Sequence, residues 1–265
     1  MGSRTIRMSL VAVAVFACSR AIASASSVVL PVGNITTEGN TTNNNSMALP
    51  FDCNFTGFAN TRMQQVYLGS EVGSGTITEV RFRPNATGGT AGGAFSSTVE
   101  GVTMTLSTTS KAPDGLSSGS TALLDSNVGA DVTAVFSGDL ALSSAATGGP
   151  PRDFDIVVTL QTPFAFDSSQ GNLLMDVTIP DCTKAITTLF DAQSTTSDSV
   201  SRVGVIGTIF FTDADSAGLV TQFTIARALP VSPAPALSTI ALIVCALLLL
   251  LGGMRGARRR SSQLQ

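Results

Sequence analysis

The sequence predicts an all-β protein: a single antiparallel β-sandwich, jelly-roll-like in class, set between an N-terminal signal segment and a C-terminal transmembrane helix. Three observations predict it. About ten short apolar or alternating segments are separated by Gly, Ser, Asp and Pro clusters, the punctuation of strands and turns. No stretch of the body keeps apolar residues at helical spacing for more than two turns. The one long apolar run, Leu237 to Met254, comes near the end of the chain and is uncharged throughout.

The elements follow in order. Residues 1–25 read as a secretory signal peptide: Arg4 and Arg7 supply the positive start, Met8 to Ala17 the apolar core, and Ala23-Ser-Ala25 the small-residue cleavage pattern. Cleavage is expected after Ala25, with Ala23 as the alternative. A second reading makes Cys18 a lipidated cysteine, since Val15-Phe-Ala-Cys18 loosely fits a lipobox, although Phe16 departs from it. Residues 26–47, rich in Asn, Thr and Gly, read as a flexible leader.

Residues 48–229 form the predicted sandwich. Its expected strands are Ala48–Asn54, Arg62–Leu68, Gly75–Arg83, Thr98–Ser107, Val132–Phe136, Phe154–Leu160, Leu173–Ile179, Ala185–Asp191, Arg202–Phe211 and Leu219–Ala226. Val102-Thr-Met-Thr-Leu106 alternates cleanly, the signature of a half-buried strand. In Thr76 to Arg83, Ile77 lies on one face and the phase changes before Val80 and Phe82. Phe136, Phe154, Phe164, Phe166, Phe190, Phe210 and Phe211 are the expected core aromatics.

Residues 230–236 are a Pro-rich linker, 237–254 a span of about 27 Å as a helix, and 255–265 a basic tail. Arg255, Arg258, Arg259 and Arg260 flank the span on its C-terminal side, which places that end in the cytoplasm and the body outside the inner membrane. Val231-Ser-Pro-Ala-Pro-Ala-Leu-Ser238, the span and the arginine cluster together resemble the C-terminal sorting domains of the PEP-CTERM group. Pro233, Pro235 and Leu237, with the four arginines, carry that resemblance. The usual Pro-Glu-Pro is absent, and Pro235-Ala-Leu-Ser238 stands nearer the Pro-Thr-Leu-Ser variant. The resemblance implies an exosortase-type processing protease as partner and release or reattachment at the cell surface; a plain, uncut anchor is the alternative.

The exported part carries all eighteen acidic residues against eight basic ones, a net charge of −10, whereas the whole chain is −3. Such a body is a poor partner for nucleic acid. Cys53 and Cys182 are the cysteines left once the signal and the span are set aside, and in an oxidising compartment they are expected to form one disulfide. Arg62-Met-Gln-Gln-Val-Tyr67, Arg81-Phe-Arg-Pro84, Leu106-Ser-Thr-Thr109, Gly171-Asn-Leu-Leu-Met-Asp176 and Phe190-Asp-Ala-Gln193 resemble a group of uncharacterised exported proteins that often carry the same tag. That resemblance implies the exterior of an exopolysaccharide-producing Gram-negative bacterium, and supplies no activity.

The chain contains no histidine, so the usual general base of a nucleophilic triad and the commonest zinc ligand are missing. No spacing singles out a glycosidase carboxylate pair, and with no tryptophan and one tyrosine a sugar-gripping aromatic floor is poorly supplied. No catalytic residue and no cofactor are expected. Calcium is the weak candidate, at Asp153 with Asp155 and at Asp213 with Asp215, because residues two apart share a side of an extended segment. The expected role is structural or binding, in the cell envelope or an exopolysaccharide matrix. The alternative is a calcium-dependent carbohydrate-binding or carbohydrate-active module.

Overall fold

Thirteen strands and two short helices follow one another in a computed structural model that describes residues 23–42, 50–51, 60–87, 92–180, 186, 188–210 and 216–228. The strands are β1 (Ala23–Leu30), β2 (Thr41–Thr42), β3 (Thr61–Tyr67), β4 (Gly75–Phe82), β5 (Phe95–Thr109), β6 (Thr133–Ser144) and β7 (Ile156–Phe166). They continue with β8 (Asn172–Ile179), β9 (Asp191–Ser194), β10 (Val200–Ile206), β11 (Ile209–Phe210), β12 (Ala217–Leu219) and β13 (Thr221–Ala228). Helix α1 is Gly69–Val72 and α2 is Thr121–Asp125.

Every strand pairing is antiparallel. One sheet runs β1-β13-β4-β7, a second β11-β10-β3-β8-β5-β6, and a small third β12-β9-β2. Strand alternation sends Val80, Phe82, Phe223 and Ile225 from the first sheet, and Met63, Tyr67, Met104 and Met175 from the second, into one shared core. This is the all-β sandwich that the alternating segments predict. Phe51, Phe82 and Phe190 cluster within it, with ring centroids 5.8–6.1 Å apart. Where the edges of the two sheets approach, Gln161 fastens β7 to β6: its Oε1 accepts from the Ser137 N–H at 3.0 Å, and its Nε2 donates to the Ser137 carbonyl at 3.1 Å.

The phase change read in β4 is a β-bulge. Thr78 is the extra residue between Ile77 and Glu79 in the pairing with β13, and it lets Ile77, Val80 and Phe82 all reach the core fully buried. A second irregularity in β5 lies between Val99 and Val102, where Gly101 takes φ +67° and donates its N–H to Asp139.

Several expectations are corrected. The segment 26–47 is not a flexible leader in its described part: Ser26 to Leu30 pair residue for residue with Ile225 to Thr221, and Leu30 is fully buried. Its serines and asparagines mask a strand whose apolar end, Val28-Val-Leu30, is short. Strands β6 and β7 run well beyond Phe136 and Leu160; Leu140 and Leu142 alternate inward through a Ser/Gly/Asp-rich stretch that reads locally as a loop. Phe154 is only half-buried, while Phe164, Phe166 and Phe190 are core residues and Phe136 packs against the core.

Cys53, Cys182, Asp213 and Asp215 lie outside the described residues, as do the signal core and Pro233, Pro235, Leu237, Arg255, Arg258, Arg259 and Arg260. Among the described residues no helix is long and apolar enough to cross a membrane.

Candidate functional site

Among the described residues, two depressions bring charged side chains together. The first lies on the outer face of the six-stranded sheet. Alternation in β3 turns Arg62, Gln64 and Val66 away from the shared core, and β8 presents Asp176 and Thr178 beside them. The long excursion between β5 and β6 covers part of this face. Its helix α2 is capped by Ser120, whose hydroxyl accepts from the Leu123 N–H at 3.2 Å. Leu116 and Leu124 from the excursion pack on Val66, Leu174 and Val203 to make a second, smaller core.

Beside that core a polar network is fully connected. Arg62 grips Asp176 through Nε at 3.0 Å and Nη2 at 2.6 Å, and reaches Asp125 through Nη1 at 2.6 Å. Gln64 donates to Asp176 at 2.7 Å and accepts from Asn127 at 2.8 Å. Burial lowers the Arg62 guanidinium, but the hydrogen bonds to Asp176 and Asp125 outweigh it and leave the group above its ordinary value. Arg62, Thr105, Asp125, Asp176 and Thr178 line an open hollow of about 570 Å³ there. Its cation is already matched by two carboxylates, Asp176 and the exposed Asp125.

The second depression lies where β4 ends. Arg83 is 1% exposed, and its Nε donates to Asp191 at 2.7 Å. Its Nη2 donates to the carbonyls of Asn34 and Thr37 at 3.0 and 2.8 Å. The guanidinium lies over the Phe154 ring, 4.7 Å from the centroid. Asp191 also accepts from the Gly39 N–H at 2.9 Å, so one buried ion pair ties β4 and β9 to the loop after β1. Burial pushes the Asp191 carboxyl up to about 6, against the pull of Arg83. Next to this pair is an open hollow of about 480 Å³, walled by Ile35, Thr36, Arg83, Arg152, Phe154 and Gln222 among others.

The sequence-predicted pair Asp153 and Asp155 is occupied with holding its own turn. Asp155 accepts from the Ser144 hydroxyl at 2.7 Å and from the Ala145 N–H at 2.8 Å; Asp153 accepts from the Thr147 hydroxyl at 2.9 Å. Asp198 and Asp114, which the sequence reading passed over, come near each other in the loops before β10 and after β5. Burial first, then the charges of Asp114 and Glu71, push the Asp198 carboxyl up to about 6. Among the described residues no group of three or more acidic or cysteine side chains converges as a metal site would.

The buried pairs were within sight in the sequence, though not as pairs. Arg62 and Gln64 belong to one of the segments that resemble the exported group and Asp176 to another; Arg83 belongs to a third and Asp191 to a fourth. Partners 108 or 114 positions apart carry no spacing signal. Arg152 was missed for a plainer reason: it sits in a Gly/Pro-rich turn that reads as connection.

Both hollows can hold a ligand by hydrogen bonding and charge. In the first, the carboxylates of Asp125 and Asp176 are both bonded to Arg62. No family model, no curated protein and no solved structure matches the chain.

Proposed function

We propose that this protein is an exported, jelly-roll-like β-sandwich that binds within the cell envelope or an exopolysaccharide matrix without catalysing a reaction. In this reading residues 1–25 direct export, the PEP-CTERM-like tail from Val231 to Arg260 anchors or sorts the protein, and an exosortase-type protease processes it. Cys53 and Cys182 close one disulfide in the oxidising compartment.

One observation carries the binding part. The hollow beside Arg83 places a phenyl ring, an exposed aliphatic side chain, an amide, two guanidiniums and a single carboxylate, that of Asp153, around one space. Such a wall recognises and orients. The absence of histidine supports the same reading, since the commonest general acid–base is missing.

The test is co-sedimentation of the mature protein from its native host with that host's cell-free extracellular polysaccharide. Its intact mass is measured on the same material. Expected is a species ending near Ser232 to Leu237 that pellets with the polymer. A protein that stays in the supernatant at every polymer concentration would overturn the binding role, and one that keeps its arginine tail in the inner membrane would overturn the sorting role.

A further inference from the structure

The hollow walled by Arg83, Arg152 and Phe154 has a charge pattern unlike that of the body around it. Arg83 is neutralised by Asp191, and its guanidinium is fixed by two backbone carbonyls and the Phe154 ring. Arg152 is different. It donates to the Ala146 carbonyl through Nη1, and among the described residues no carboxylate forms an ion pair with it. Its Nε is buried without an acceptor. The donor open to a ligand is Nη2, which among the described residues is neither hydrogen-bonded nor one of the buried atoms, and an incoming oxyanion is its natural complement. Asp153 also lines the hollow, with one carboxylate oxygen engaged by the Thr147 hydroxyl.

Around that cation the wall is mixed. Ile35 is 52% exposed, one of five large apolar side chains on the described surface that stand so far out, and Phe154 is half-buried beside it. Thr36 and Gln222 add a hydroxyl and an amide. An apolar plate for the C–H face of a ring, neutral hydrogen-bonding groups for its hydroxyls, and a guanidinium for an acid describe a carboxylated sugar better than either a bare ion or a neutral glycan. A bare ion gains nothing from Ile35, and a neutral glycan leaves Arg152 unpaired.

We propose that this hollow is a subsite for an anionic saccharide unit, its acid group received by Arg152 and its ring laid against Ile35 and Phe154. This deepens the binding role proposed above and rests on it. The shared chemistry is an oxyanion on a polyhydroxylated ring, and a carboxylate or a phosphate ester could each supply it.

The experiment is calorimetric titration of the purified full-length protein in detergent with three probes: oligogalacturonate, a neutral cello-oligosaccharide and inorganic phosphate. Expected is saturable binding of oligogalacturonate that weakens with added salt, roughly tenfold weaker in Arg152→Gln and tighter in Asp153→Asn, which removes a negative charge from the wall. Competition of that binding by phosphate also supports the subsite and identifies the phosphate ester as a second source of the oxyanion. Binding of the neutral oligomer alone, or oligogalacturonate binding that Arg152→Gln leaves unchanged, overturns the subsite while the matrix role stands. If no probe binds, the subsite falls; whether the matrix role falls with it is read from the co-sedimentation. Each variant is compared with wild type by its unfolding curve, so that loss of binding is not loss of fold.

Discussion

Exchanging Arg83 for methionine keeps most of the side-chain length and deletes its charge and its donors. Asp191 is then left buried without its cation, and the carbonyls of Asn34 and Thr37 lose the bonds they accept at 3.0 and 2.8 Å. The cost depends on pH, and its sign follows from the carboxyl. With Arg83 present, Asp191 is already pushed up to about 6 by burial, whereas an unfolded aspartate titrates near 3.9. Its neutral form therefore favours the fold below about pH 4, and that contribution is lost as the pH rises through about 6. Without Arg83 the carboxyl moves higher still, and the loss grows and extends into neutral pH. Breaking a buried pair from one side costs about 3–5 kcal/mol, expected in full near pH 7.5. For a domain of this size that is a fall in Tm of about 6–20 °C. Near pH 5, with the carboxyl mostly protonated, only the carbonyl and packing losses remain, about 1–2 kcal/mol. The chain has no tryptophan, so urea unfolding is best followed by far-UV circular dichroism at both pH values. A loss that is equal at the two pH values, or below about 1 kcal/mol at the higher one, would refute the reasoning that Arg83 and Asp191 form one buried unit.

Two further predictions use single side chains. Tyr67 is the one tyrosine of the chain and is fully buried, with its hydroxyl 2.9 Å from that of Thr221; burial raises its ionisation well above the ordinary value of about 10, so absorbance near 295 nm stays flat while the protein remains folded and rises only on unfolding. A smooth titration of the folded protein centred near 10 would show that the ring is not where the core places it. Asp155→Ala removes the acceptor for Ser144 and Ala145 and should cost about 1–2 kcal/mol, measured by urea unfolding, by the same amount in calcium and in chelator. A loss seen only with calcium present would return Asp155 to the role of metal ligand.

How far the sequence reveals this molecule depends on how local each signal is. The bulge at Thr78 was legible because three apolar residues, Ile77, Val80 and Phe82, broke a period of two within six positions. Strand β8 was legible because Leu173, Met175, Val177 and Ile179 alternate into the shared core, while Leu174 on the other face meets the small core under α2. Strand β1 was not: its first half is small and polar, and what makes it a strand is a partner nearly two hundred residues away. The same holds for the candidate site. Arg83 resembles any solvated arginine until Asp191 and two loop carbonyls are folded onto it, and Arg152 stands out only when its neighbours are seen to lack a carboxylate for it. Phe154 misled because an aromatic at a strand start is usually core, whereas here its ring receives a guanidinium.

The neighbouring of β1 and β13 sets an order of events as well as a shape. Ser26 bonds to Ile225 across 199 positions, so the four-stranded sheet cannot close until nearly the whole domain is available. A chain that appears N-terminus first must hold Val28, Val29 and Leu30 uncovered through that interval, and loop closure over such a distance is slow. The small and hydroxylated residues that precede them in β1 give little for another chain to grasp while they wait. What looks like an unremarkable polar lead-in is thus suited to delay: it keeps an unpartnered strand quiet until its distant neighbour arrives.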